Sequence, residues 1–216
     1  MRDAMNNPVP AARLAAWMVV AMVLGAGPTV GGCAGTRGSS APGPSSMTRT
    51  LEANRLAILA QRAQRDGETD LAIDLYRQSL AESADDASTW NNLGALLLTR
   101  ERYLEAVEAC KRAADLSPTD PRPLYNIGHT YATTGWQQKA MEYYLMALER
   151  DGRDLKSLRG AIGSGKLLGV ADESALERIR TALMLDTDPD WRKIHEGERT
   201  RIEGELNSRK RRASAP

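Results

Sequence analysis

The 216-residue sequence holds only two cysteines and two histidines. Cys33 and Cys110 give neither a disulfide framework nor the paired spacing of a zinc site. His195-Glu196 begins like the helix of a zinc protease, yet the position four after the histidine is Arg199, so the second ligand is missing. Around His129 there is no pairing of nucleophile and base, and no catalytic residue, metal ligand or cofactor is expected. An excess of charge of one sign is also lacking. The chain carries a formal +1, of which Arg2, Asp3 and Arg13 account for all, so the body is neutral. That argues against a general nucleic-acid binder, whose affinity rests on neutralising phosphates.

The longest apolar run, LAAWMVVAMVLGAG, has about fourteen residues, short of the ~20 that span a bilayer comfortably. Two arginines precede it, and Pro28 and the small-residue stretch TVGGCAG follow, which is the order of a secretory signal peptide over residues 1–32. Val30-Gly31-Gly32-Cys33 resembles a bacterial lipobox, which implies acylation of Cys33 and anchoring to a membrane on the periplasmic side of a cell envelope. The alternatives are plain secretion, a retained signal anchor, or a cytosolic protein with a misread start. From residue 33 to 52 the chain is poor in large apolar residues and rich in Gly, Ser and Pro, the composition of a tether.

What the sequence has in plenty is repetition. WNNLGALLLTRERYLEA from Trp90 recurs 34 residues later as LYNIGHTYATTGWQQKA from Leu124, and 34 earlier as LAILAQRAQRDGETDLA from Leu56. The columns Leu56/Trp90/Leu124, Leu59/Leu93/Ile127 and Ala60/Gly94/Gly128 fall at i, i+3, i+4, one face of a helix. Ala72/Ala106/Ala140, Tyr76/Cys110/Tyr144 and Ser79/Ala113/Ala147 fall at i, i+4, i+7, one face of a second. Each unit is a helical hairpin, with Gly or Ala where the two helices cross closely. Gly67 and Gly135 fall at one place between the paired helices, and Asp120-Pro121 offers an N-cap with a first-turn proline. Trp90 is expected in the buried stack.

Trp90, Leu93, Gly94, Leu97, Ala106, Cys110, Ala113 and Pro118 resemble the tetratricopeptide repeat. Leu124, Ile127, Gly128, Tyr131, Ala140, Tyr144 and Ala147 repeat the match. The resemblance implies an all-α, right-handed α-solenoid over residues 53–188, with units at about 53–86, 87–120 and 121–154. A degenerate fourth unit spans 156–188, in which a one-residue slip after Gly152 puts Ile162, Gly163, Ala175, Ile179 and Ala182 in the columns. A helix over 189–208 with Trp191, Ile194, Ile202 and Leu206 on one stripe would cap the stack. Residues 209–216, with the basic run Arg209 to Arg212, are expected as a disordered tail.

Two remaining motifs have simpler readings. GAIGSGKL, Gly160 to Leu167, meets the glycine and lysine positions of a phosphate-binding loop, but Leu167 stands where the magnesium-binding hydroxyl belongs. Cys110 shares a column with Tyr76 and Tyr144, where a buried, inert thiol fits.

Stacked hairpins curve their first helices into a concave wall. The resemblance places Ala57, Gln61, Gln64 and Arg65; Asn91, Ala95, Leu98 and Thr99; and Tyr125, His129, Ala132 and Thr133 on it. Gln61, Arg65, Asn91, Leu98, Tyr125 and His129 are the candidate partner-binding residues, suited to an extended peptide or a partner helix. The Lys and Asn positions of the cochaperone carboxylate clamp are not reproduced. The reading is a non-enzymatic adaptor that binds a protein partner at an envelope and serves assembly of a complex such as a pilus or secretion system.

Overall fold

In the computed structural model, which describes residues 45–214, four residues with left-handed backbone punctuate the chain at intervals of 34. They are Gly67, Glu101, Gly135 and Gly169, with φ of 81°, 59°, 84° and 68°. Each closes the turn inside one hairpin. Glycine adopts this conformation freely, whereas at Glu101 it costs about 1–2 kcal/mol. The hairpins are α1 (Ser46–Arg65) with α2 (Thr69–Glu82), α3 (Ala87–Thr99) with α4 (Tyr103–Leu116), α5 (Arg122–Thr133) with α6 (Gln137–Arg150), and α7 (Leu155–Leu167) with α8 (Glu173–Leu185). The helix α9 (Pro189–Ala213) follows, and no strand occurs among the described residues.

A second column with the same interval starts the helices. Asp86, Asp154 and Asp188 accept the backbone N–H of Ser88, Ser157 and Asp190 at 2.9 Å each, a side-chain cap worth about 1 kcal/mol. Asp120 belongs to the column but acts one residue early: its carboxylate takes the Arg122 N–H at 3.0 Å, and Pro121 occupies the cap itself.

Gly94 and Gly128 lie where the two helices of a hairpin cross. A Cβ on Gly94 would collide with Cys110 Sγ, and one on Gly128 would stand 2.8 Å from the Tyr144 ring. In the fourth hairpin the register differs from the expected slip. Leu158 and Ala161 are buried one repeat after Leu124 and Ile127, while Gly163 is exposed with open space around it. The extra residue sits instead in the α7–α8 turn, displacing Ala175, Ile179 and Ala182 by one. It makes room for Asp172, which caps α8 through the Ala175 N–H at 2.7 Å, a cap that α2, α4 and α6 lack. Trp90 is only half-buried, its indole N–H donating to the Ala84 carbonyl at 2.8 Å.

Both ends of the repeat body differ from expectation. The helix α1 begins at Ser46, inside the expected tether, because Ser45 caps it and Arg49 ties its first turn to the Ala81 carbonyl and Glu82. The helix α9 runs to Ala213 and takes in Arg209 to Arg212, the expected disordered tail. Arg209 donates to the Ala171 carbonyl, Lys210 pairs with Glu173, and cations in a last turn complement the helix dipole. The signal peptide, Cys33 and most of the tether lie outside the described residues.

Candidate functional site on the inner wall

First helices of successive units pack on one another, α3 on α5 and α5 on α7, whereas no comparable packing joins α2 to α4, α4 to α6 or α6 to α8. The closely spaced row is the inner wall of the curve. The helix α9 starts one 34-residue step after α7 and contacts it, taking the place of the next first helix.

Gln61 and Arg65 are exposed, but α1 has no comparable packing on α3 and stands outside this row. Asn91 is buried, and its Oδ1 accepts from Asn126 Nδ2 at 2.9 Å, a bridge that holds α3 to α5. Leu98 is half-buried against the first core cluster. Tyr125 and His129, one helical turn apart, stack with centroids 5.8 Å apart and planes 16° apart. Tyr125 also meets the buried Tyr144 ring, tilted by 37° at 5.8 Å, and Lys156 Nζ lies 5.9 Å from the Tyr125 centroid. Burial raises the Tyr125 phenol pKa and lowers that of the exposed-edge His129 imidazole below its usual value. A neutral imidazole therefore lies on the wall at neutral pH, able to donate with one nitrogen and accept with the other.

The wall extends past the expected residues. Arg159, on α7, spans from the Tyr125 side to Trp191 on α9, its guanidinium carbon 4.7 Å from the indole centroid. Its Nη2 and Nε donate to the Asp186 carboxylate at 2.6 and 2.8 Å. That carboxylate, with no exposed surface, also faces His195 Nε2 at 3.1 Å, and the Arg159 guanidinium holds its pKa well below the ordinary range. Arg159 occupies the Tyr125 column one unit on. The assumed slip hid it, although the 34-residue step from Gly135 to Gly169 would have revealed it.

The other sequence motifs are absorbed into structure. Gly160 to Lys166 lie inside α7, where backbone N–H groups are spent on the helix and cannot cradle a phosphate. His195 is wholly buried beside Asp186, with no nucleophile in contact. Burial pushes the Cys110 thiol up to about 12, which leaves it unreactive at neutral pH. No group of three potential metal ligands occurs among the described residues.

On the outer side, Trp90, Leu93, Leu97 and Ala109 floor a cleft of about 530 Å³ rimmed by Arg77 and Arg112. A second, of about 490 Å³, lies between α6 and α8 over Leu158. Both are gaps left where consecutive second helices splay apart.

Known proteins of this kind share the architecture. Residues 59–121 and 121–154 match models described as tetratricopeptide repeat. A peroxisomal targeting signal receptor of Eremothecium gossypii is 35% identical over 115 residues, 53% of this chain and 19% of the receptor, so the chain spans about a fifth of that relative's length. Among solved structures, that of MamA superposes with a TM-score of 0.58 at 18% identity, covering 65% of this chain and 85% of MamA. The first TPR of Spaghetti (RPAP3), bound to the HSP90 peptide SRMEEVD, gives a TM-score of 0.54 at 16% identity over 56% of this chain and 96% of that one. With the 34-residue hairpins, the left-handed turn residues and the small-residue crossings, these matches make the chain a tetratricopeptide-repeat protein.

Proposed function

We propose that this protein is a non-enzymatic adaptor that holds an extended peptide or a partner helix along the wall formed by α3, α5 and α7. The observation that carries the reading is the stacked Tyr125–His129 pair, backed by Tyr144 and flanked by Lys156 on an open surface. Rings held by their neighbours bind at little entropic cost, and a neutral imidazole recognises peptide groups by hydrogen bonds. The peptide carried by the RPAP3 repeat domain and the targeting signal named for the fungal receptor are ligands of the same broad kind.

A photocrosslinking side chain at position 129 tests this in the native host, against the same side chain at position 112 on the outer cleft. The expected result is a discrete crosslinked partner from position 129 and none from 112. The reverse pattern would move the binding face to the outer side.

The setting we propose is a bacterial envelope, with the chain exported, acylated at Cys33 and facing the periplasm, where an adaptor serves assembly of a complex such as a pilus or secretion system. The support is the residue order of positions 1–33; no helix among the described residues is long and apolar enough to cross a membrane. Intact mass of the membrane-extracted protein checks it. A chain that begins at Cys33 with added acyl mass, lost in Cys33→Ala, is expected. An unmodified full-length chain in the soluble fraction would favour a cytosolic scaffold instead.

A further inference from the structure

The first helix of the stack has two unlike faces. Toward α2 it presents Ala53, Ala57, Ala60 and Ala63, all buried. The opposite side carries Met47, Leu51 and Ile58, which are 72%, 61% and 64% exposed. Their spacing of i, i+4 and i+11 makes one continuous stripe along the helix. A solenoid ordinarily closes its ends with polar outer faces. The far end comes closer to this, since the exposed residues of α9 are charged or polar apart from Pro189, Ile194, Ala213 and its two glycines. The near end does not.

The charge around the stripe indicates what covers it. Arg55 and Arg62 stand one helical turn after Leu51 and Ile58 and are exposed on the same side. The helix holds four arginines and a single acid, Glu52, which pairs with Arg55 at 3.0 Å; Arg49 pairs with Glu82 of α2 at 3.5 Å, so a net +2 remains on this surface, with Arg62 and Arg65 its main carriers. Two copies meeting through this face would bring like charges together, so the surface fits an anionic partner better than itself. An apolar stripe edged by arginine on a single helix is the pattern of a segment lying in the plane of a bilayer, with apolar residues among the acyl chains and guanidinium groups at the phosphates. Twelve residues, 34–45, separate Cys33 from the helix.

We infer that α1 docks flat on an anionic lipid bilayer through Met47, Leu51 and Ile58, with Arg55 and Arg62 on the headgroups, and so sets the orientation of the inner wall above the membrane. The inference rests on the reading of Cys33 as an anchor.

Hydrogen–deuterium exchange of the full acylated chain, held on phosphatidylcholine vesicles with and without about 30 mol% phosphatidylglycerol, tests it. Amides of residues 46–65 are expected to exchange at least about five-fold more slowly on the anionic vesicles, while those of α5 are unchanged. Leu51→Ser with Ile58→Ser, or Arg55→Gln with Arg62→Gln, should abolish the slowing without releasing the chain. All four positions are exposed, so the fold survives these changes. A chain that stays on the vesicles with α1 exchanging at its solution rate overturns the docking and leaves the anchor standing. Release of parent and variants alike overturns the anchor, and this inference with it. Slowing that grows with protein concentration in the absence of lipid would assign the stripe to a second copy. Slowing removed by Arg211→Gln with Arg212→Gln, but untouched by the α1 variants, would assign the contact to α9.

Discussion

Tyr144→Ala should lower the unfolding free energy by about 3–5 kcal/mol, the range for truncating a large aromatic ring in a closed core. The side chain is 2% exposed. One face of its ring lies against Gly128 of its own hairpin, and its outer end lies against Gly160 of the next, where a Cβ would come within 2.5 Å. Both glycines have no side chain with which to refill the space. The neighbouring helices α5 and α7 are also braced apart by Tyr125 and Ala161, so collapse into the cavity is limited. Tyr144→Phe should change stability by less than about 1 kcal/mol, because burial raises the phenol pKa and no hydrogen bond of its hydroxyl occurs in the structure. Urea unfolding followed by circular dichroism measures both variants. A shift below about 1 kcal/mol for Tyr144→Ala would show that the ring is not enclosed as described.

Asp186→Ala should be comparably severe. Removing that carboxylate leaves the His195 ring buried and the Arg159 guanidinium, only 26% exposed, without its two short hydrogen bonds. Breaking a buried pair from one side costs about 3–5 kcal/mol, since the remaining charge keeps its desolvation penalty. The pH dependence distinguishes this cause from a simple packing defect. The Asp186 pKa is depressed in the folded chain, so its contribution is complete above the unfolded carboxylate value of about 4. As pH falls below that value, the unfolded chain takes up a proton that the folded chain refuses, and the contribution is progressively lost. The melting temperature of the parent should therefore decline between about pH 4 and pH 2 more steeply than that of Asp186→Asn. Parallel curves would remove Asp186 from the account.

The hairpin pattern was legible because two independent signals agree, the columns of small and apolar residues and the glycines at the turns. Gly67 and Gly135 announce a left-handed turn by their chemistry. Glu101 occupies the same conformation, and nothing in a glutamate indicates it. The inner wall was legible through Tyr125 and His129, which lie in register with the repeat. Asn91 illustrates the limit: its column is on the wall, yet a single hydrogen bond to Asn126 turns it to structural work. Arg159 was hidden by placing the slip a helix too early, since Ile162 breaks the small-residue column and Gly163 happened to mend it. The Asp186–His195 contact escaped periodicity because it joins the C-cap of α8 to the second turn of α9, and one unit earlier Ala161 stands at the His195 position. Trp90 was expected deep in the stack by its repeat position, but the splay between α2 and α4 leaves one side of the indole open to the outer cleft.

The Tyr144 ring is shared between two hairpins, and this makes the array uneven as a unit of opening. Where a side chain belongs to one hairpin alone, that hairpin can detach and reclose while its neighbours stay folded, as a chain of weakly linked steps. Around α5, α6 and α7 no such step exists, because withdrawing any one of them uncovers the same ring. These three helices open together or not at all. The helix that carries His129 thus belongs to a segment tied together by one ring, and a ligand that grips it acts on packed helices rather than on a loop that must first be ordered.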